Sequence, residues 1–331
     1  MTIDLKKEVA DFDTLKKRYF IRDGFVFTSW SDAPYHFDVL VVRSPEDADG
    51  NTQKFPLSIH SLKEHISLIA EQQIKRVQII ADDISFITEC PSLKEIAVYP
   101  SNSTKKEFDY SPLYKLKKIE SLSCQTVYGN KYQLSCSIDY SEIHGLKRLA
   151  VYSKEHLNYN LVKSIESLWI SNIKEHQDFR QLSCSTELKE LTVLQCGVNS
   201  LDGIERYHKL QSLDLSYNRA LNDISKLETV ADSLRLLSIE SCPKIKDFSC
   251  LHKLTNLEHL SLYGNNSIPD LAFLEKMKNL KTFTFSIEVA NGNLLPCLHL
   301  EYASCLKNKK WYNLKDKDLP KKIPLKPFKI R

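Results

Sequence analysis

The chain has 331 residues, of which 42% are hydrophobic and 27% charged, with a formal net charge of +4, 9 Cys and only 8 Gly. These are the proportions of a folded protein, not of a disordered or fibrous one; no apolar run is long enough to span a membrane, and scarce glycine argues against a linker-rich multidomain chain. The opening Met1-Thr-Ile-Asp-Leu-Lys-Lys-Glu lacks the apolar core of a secretory signal, so the expected compartment is the cytoplasm.

In chain order, Tyr19-Phe-Ile-Arg and Phe25-Val-Phe flank Asp23-Gly24, a strong short-range hairpin signal. Phe37-Asp-Val39-Leu-Val-Val42 predicts a further strand, and the polar stretch Arg43 to Asn51, with Pro45 and Gly50, a loop. Leu57 to Gln73 predicts a helix with Leu62, Ile66, Ile69 and Ala70 on its apolar face. Residues 1–72 are therefore expected to form an α/β cap.

From residue 74 one phrase recurs, two apolar residues two apart preceded by another three earlier. It begins at Ile74, Leu93, Ile119, Leu146, Ile165, Leu188, Leu210, Leu234, Leu257 and Leu280. The intervals are 19, 26, 27, 19 and 23 in the first half, then 22, 24, 23 and 23. A period in this range marks a solenoid, each coil of which buries its apolar edge only by stacking. Within each phrase the alternation points the apolar pair inward and the residue between them outward. Eight residues after the first Leu stand Cys196, Asn218, Cys242 and Asn265, where an Asn amide can donate to carbonyls of the adjoining coil and Cys can act as a small, weak donor. The first five coils carry Asp82, Ser101, Val127, Lys154 and Ile173 there instead. Their extra residues, Pro100 to Tyr110 and Val127 to Tyr140, are expected to form loops off the strands.

The pattern L-x-x-L-x-L-x-x-N/C resembles the leucine-rich-repeat family, in the short class seen in internalins and in the repeat regulator of a protein phosphatase. The resemblance implies an α/β solenoid, or horseshoe, of about 10 or 11 coils with a parallel β-sheet on the concave face. Residues 73–302 would form it. A last phrase, Leu295-Pro-Cys-Leu298-His-Leu300, comes only 15 residues after Leu280 and suggests that the stack is ending. Residues 303–331 hold ten Lys or Arg against Asp316 and Asp318, a charge of +8, which leaves 4 − 8 = −4 on the other 302. Such a tail is expected to be a solvated segment anchored by Trp311, Tyr312, Leu314 and Phe328; it contains no nucleic-acid-binding module.

For function, the phosphate-cradling, dinucleotide-binding, zincin and nucleophile-elbow motifs are all missing. No Cys pair has zinc-module spacing, and the cysteines read as reduced, buried thiols. No cofactor or metal is implied. The residues expected on the open face are mostly small, and against them stand Tyr99, Tyr152, Trp169, Tyr217 and Tyr263, with Glu190, Asp214, Glu240 and His259 beside them. Large aromatics with few rotors and a polar handle dominate interface hot spots, and neighbouring charges set orientation. The expectation is a non-catalytic protein, monomeric on its own, that binds a protein partner through this face. Inhibition by occupancy is preferred, as in an immunity protein that neutralises a toxin. An adaptor joining two proteins is the alternative, with a hydrolase or nucleic-acid binder more distant.

Overall fold

A computed structural model describes residues 19–28, 38–43, 58–100, 108–124, 137–152 and 156–324. They fall into two compact units, the first within Met1–Leu146 and Glu155–Leu157, the second within Lys147–Lys154 and Asn158–Ile330.

The first unit opens with β1 (Tyr19–Arg22) and β2 (Phe25–Thr28), an antiparallel hairpin. Its turn residues Asp23 and Gly24 have φ of 51° and 80°, the left-handed pair that matches the twist of a two-residue hairpin. Strand β3 (Val39–Val42) lies antiparallel to β2 and parallel to β4 (Arg76–Ala81), and β5 (Glu95–Pro100) and β6 (Ser121–Cys124) continue the sheet in parallel. Helix α1 (Leu62–Glu71) joins β3 to β4. It starts five residues later than expected because Ser61 and Glu64 form a capping box, which satisfies two otherwise orphaned amides. His65 and Ile69 make its buried face, whereas Ala70 is exposed; the apolar pattern overlooked a histidine whose ring meets Phe25 edge-on. Two short strands, β7 (Ile138–Asp139) and β9 (His156–Leu157), pair in parallel beside these coils. Residues 44–57, 101–107 and 125–136, which include most of the expected loops and Cys136, lie outside the described residues.

The second unit is the regular one. Strands β8 (Arg148–Val151), β10 (Ser167–Ser171), β11 (Glu190–Leu194), β12 (Ser212–Ser216), β13 (Leu236–Glu240), β14 (His259–Tyr263), β16 (Thr282–Phe285) and β18 (Tyr302–Cys305) follow one another in a parallel sheet. Their register aligns Leu191, Leu213, Leu237, Leu260, Phe283 and Ala303 across the sheet, all inward and buried. Each strand returns through a short 3-10 turn, as at Ile204–Arg206, Ser225–Val230 and Ser249–Lys253, and β15 (Ser267–Ile268) pairs with β17 (Glu288–Val289) on the way. With β4, β5 and β6 the coil strands among the described residues number eleven, in the expected range.

One turn signature runs through both units. Asp83, Asp109, Asp139, Asp178, Asp223, Asp247 and Asp270 each accept a hydrogen bond, 2.7–2.9 Å long, from the amide two residues on. Between the two is a buried apolar residue: Ile84, Tyr110, Tyr140, Phe179, Ile224, Phe248 or Leu271. The aspartate closes an Asx turn that starts the 3-10 segment, and the apolar residue enters the core.

The Asn ladder is present with one correction. Asn218 is fully buried; its side chain donates to Val193 O at 2.7 Å and accepts from Cys196 N at 2.9 Å. Cys196 and Cys242 place their thiols 3.4 Å from Leu194 O and Leu215 O. In the next coil, however, Asn265 is exposed and Asn266 takes the slot, donating to Cys242 O and Ile245 O at 3.1 and 2.8 Å. The extra residue is absorbed at Gly264, whose φ of 136° suits glycine.

The C-terminal end needs a second correction. Leu295–His299 is a 3-10 turn and not a strand, and Leu295 and Leu298 are exposed. The last coil instead reads Leu300-Glu-Tyr-Ala303-Ser-Cys305-Leu-Lys-Asn308, which keeps the phrase but replaces two of its large residues with Ala and Cys. Beyond it Tyr312 and Leu319 are buried and Trp311 is exposed, so Tyr312 is the anchor; its hydroxyl accepts from Val289 N at 2.9 Å. Phe328 lies outside the described residues. Three of the lysines here are tied to the protein: Lys309 pairs with Glu288, Lys321 with Asp316, and Lys315 donates to Lys309 O.

Candidate functional site

The open face of the second unit is built by alternation. Where Leu213 and Leu215 point inward, Ser212, Asp214 and Ser216 point out, and the register sets equivalent residues side by side at the spacing of about 4.8 Å between strands. The central outward row reads Ala150, Trp169, Thr192, Asp214, Ser238, Ser261, Thr284 and Ser304. Eight of the nine expected binding residues belong to this unit. Tyr99 belongs to the first, where it packs with Tyr19 on Val26, Val41 and Ile80.

Trp169 rises from this row of small residues and is 42% exposed, and Tyr217 is 41% exposed. Tyr217 follows β12 directly, with φ of 56°. The same left-handed position is held in neighbouring coils by Asn172, Gln195 and Ser241, of which Asn is the type that favours it. There its amide donates to Glu240 O at 2.7 Å and its hydroxyl to Glu240 Oε1 at 2.6 Å. The Glu240 carboxylate holds the Tyr217 hydroxyl above the usual tyrosine range, chiefly through that hydrogen bond.

Toward the C-terminal coils the face is a hydroxyl network. Tyr263 Oη donates to Thr284 Oγ1 at 2.6 Å, Thr284 also meets Ser261 Oγ at 2.7 Å, and His259 Nδ1 lies 2.8 Å from Thr282 Oγ1. Tyr263 and His259 are half-buried within it, and Tyr152 is half-buried beside β8. Toward the middle the face is acidic. Glu190, Asp214 and Glu240 sit on three successive strands, each one outward position further along than the last. Burial pushes the Asp214 carboxyl above its ordinary range, with the Glu240 charge adding to it, while Ser216 Oγ, donating at 2.5 Å, opposes the shift. Burial likewise raises Glu190, against the pull of a Ser167 hydrogen bond and of Arg148 and Lys189. The hydroxyl partners Ser216, Thr282 and Thr284 were in view in the sequence, but their small size gave no sign that they organise the aromatics and acids.

The cysteines offer no reactive thiol on this face. Cys196 and Cys242 are buried and burial pushes both up to about 11. Among the described residues no group of three or more His, Cys, Asp or Glu is placed to hold a metal ion, and no helix is long and apolar enough to cross a membrane.

No protein-family model matches the chain. Among solved structures it is similar to an internalin, InlF, from Listeria monocytogenes, at 21% identity over 71% of this chain and 67% of that one, with a TM-score of 0.50. It is also similar to internalin C2 of the same organism, at 20% identity over 54% and 77% with a TM-score of 0.41. The functional domain of InlJ from Listeria monocytogenes matches at 14% identity over 66% and 50%, with a TM-score of 0.44. The chain has the leucine-rich-repeat fold that its repeat predicts.

Proposed function

We propose that this protein is a non-catalytic binding module that acts in the cytoplasm by covering a protein partner with the open strand face of its second unit. The observation that carries the reading is the exposure of Trp169 and Tyr217 on a face whose central row is mostly small residues, with acids beside it. A flat sheet of Ser and Thr admits close approach, and two rigid aromatics offer large contact area at small entropic cost. A module that works by occupancy inhibits what it covers, so the favoured role is that of an inhibitor, such as an immunity protein neutralising a toxin.

Affinity capture with the intact protein and with a Trp169→Ala/Tyr217→Ala variant tests this. One stoichiometric partner, lost with the variant and inhibited in its own activity by the intact protein, is the expected result. A partner retained by the variant removes the face from consideration, and two partners recovered together make the protein an adaptor.

A further inference from the structure

Thr192 lies at the centre of a notch. It is nearly buried and small, and in register it has Trp169 on one side and Asp214 on the other. Along its own strand Glu190 is the preceding outward residue and Leu194 the next. The two flanking strands set the backbones of Trp169 and Asp214 about 10 Å apart across Thr192, twice the interstrand spacing. In that row Thr192 is the one residue between the indole and the carboxylate.

Two further features point to a cation as the missing occupant. Glu190 Oε2 is buried and has no hydrogen-bond partner. Beside it in register, Ser212 is only 7% exposed and its Oγ is also without a partner. Unpaired polar atoms buried beside a carboxylate cost free energy that a donor would recover. Burial raises both Glu190 and Asp214; Arg148 and Lys189 oppose the shift at Glu190, whereas at Asp214 only the Ser216 hydroxyl does.

We propose that this notch receives an arginine side chain from the protein partner, its guanidinium stacked on Trp169 and forked onto Asp214, with Glu190 as the second acceptor. The inference rests on the proposed use of this face. Arginine is favoured over lysine because only a planar fork with five donors both stacks on an indole and engages a carboxylate through two hydrogen bonds.

Panning a phage-displayed library of random dodecapeptides on the intact protein supplies the probe. The expected result is enrichment of peptides sharing an arginine. A synthetic copy of the leading peptide should bind at least tenfold more weakly when that arginine becomes lysine, and at least tenfold more weakly to Asp214→Asn. Asp214→Asn keeps shape and removes a charge whose burial is unfavourable, so its melting temperature should not fall. Enriched peptides without arginine that are lost on Trp169→Ala/Tyr217→Ala would overturn the notch and leave the face standing. Peptides indifferent to both variants would overturn both, and so would no enrichment at all.

Discussion

The two units solve one problem by different means. In the second, four successive coils of nearly constant length carry a buried Asn or Cys, Cys196, Asn218, Cys242 and Asn266, that bonds backbone, as Asn218 does with Val193 O and Cys196 N. In the first, the coil intervals vary, yet the Asx turns at Asp83, Asp109 and Asp139 match those at Asp223, Asp247 and Asp270. The turn that starts each convex segment is thus the shared element, while the ladder is an addition that goes with regular spacing. It follows that the second unit presents an even grid of outward residues, on which a notch can be placed by register alone.

The largest effect expected is from the ladder. Asn218→Ala leaves a buried carbonyl and a buried amide unpaired and should cost about 3 kcal/mol, seen as a lower urea midpoint with an unchanged slope; a loss under about 0.5 kcal/mol would remove the ladder from the comparison.

In the first unit the counterpart is acid sensitivity. His156 is buried against the Tyr140 hydroxyl, with Nδ1 3.1 Å from it, and burial lowers its pKa to about 4. The unfolded chain takes up this proton near pH 6.5 and the folded one only near pH 4. The contribution is therefore complete above pH 6.5 and is lost as pH falls to about 4, amounting to about 3 kcal/mol. A His156→Gln variant should show a shallower acid limb in pH-dependent unfolding.

The shared turns give a smaller and equal effect. Asp83→Ala and Asp223→Ala should each cost about 1 kcal/mol, the usual value of a capping side chain. Unequal losses would break the equivalence of the two kinds of coil. Smallest is the rim, where Lys94–Glu120, Glu166–Lys189 and Glu258–Lys281 pair at 2.6 Å between successive coils. Reversing Lys281→Glu should lower the urea midpoint only slightly, and adding Glu258→Lys should restore it at low salt.

The repeat was legible because burial acts on it directly: a coil that stacks must put Leu or its like at fixed positions, and Leu188 to Phe285 shows them. Where a large residue gave way to a small one the reading failed. Ala303 and Cys305 hide the last strand, and Leu295 and Leu298 mimic it in the sequence although they lie on an exposed turn. The ladder slipped by one at Asn265 because Gly264 lengthens the turn without changing the apolar pattern. On the site, alternation picked out Trp169, Thr192, Asp214 and Ser238, which the register sets in one row. It gave no means of telling that Tyr99 is committed to packing on Ile80, Val41 and Val26, or that Tyr263 is tied into the hydroxyl network. Such facts depend on which side chains the neighbouring strands bring alongside.

The most direct test of the central claim is calorimetric titration of the captured partner against three forms of the protein: unaltered, Trp169→Ala/Tyr217→Ala, and Lys226→Ala in the exposed 3-10 turn on the opposite side of its coil. Binding through the strand face predicts at least a tenfold weaker Kd for the aromatic pair and no change for Lys226→Ala. Equal affinity for all three, or a loss confined to Lys226→Ala, would contradict it.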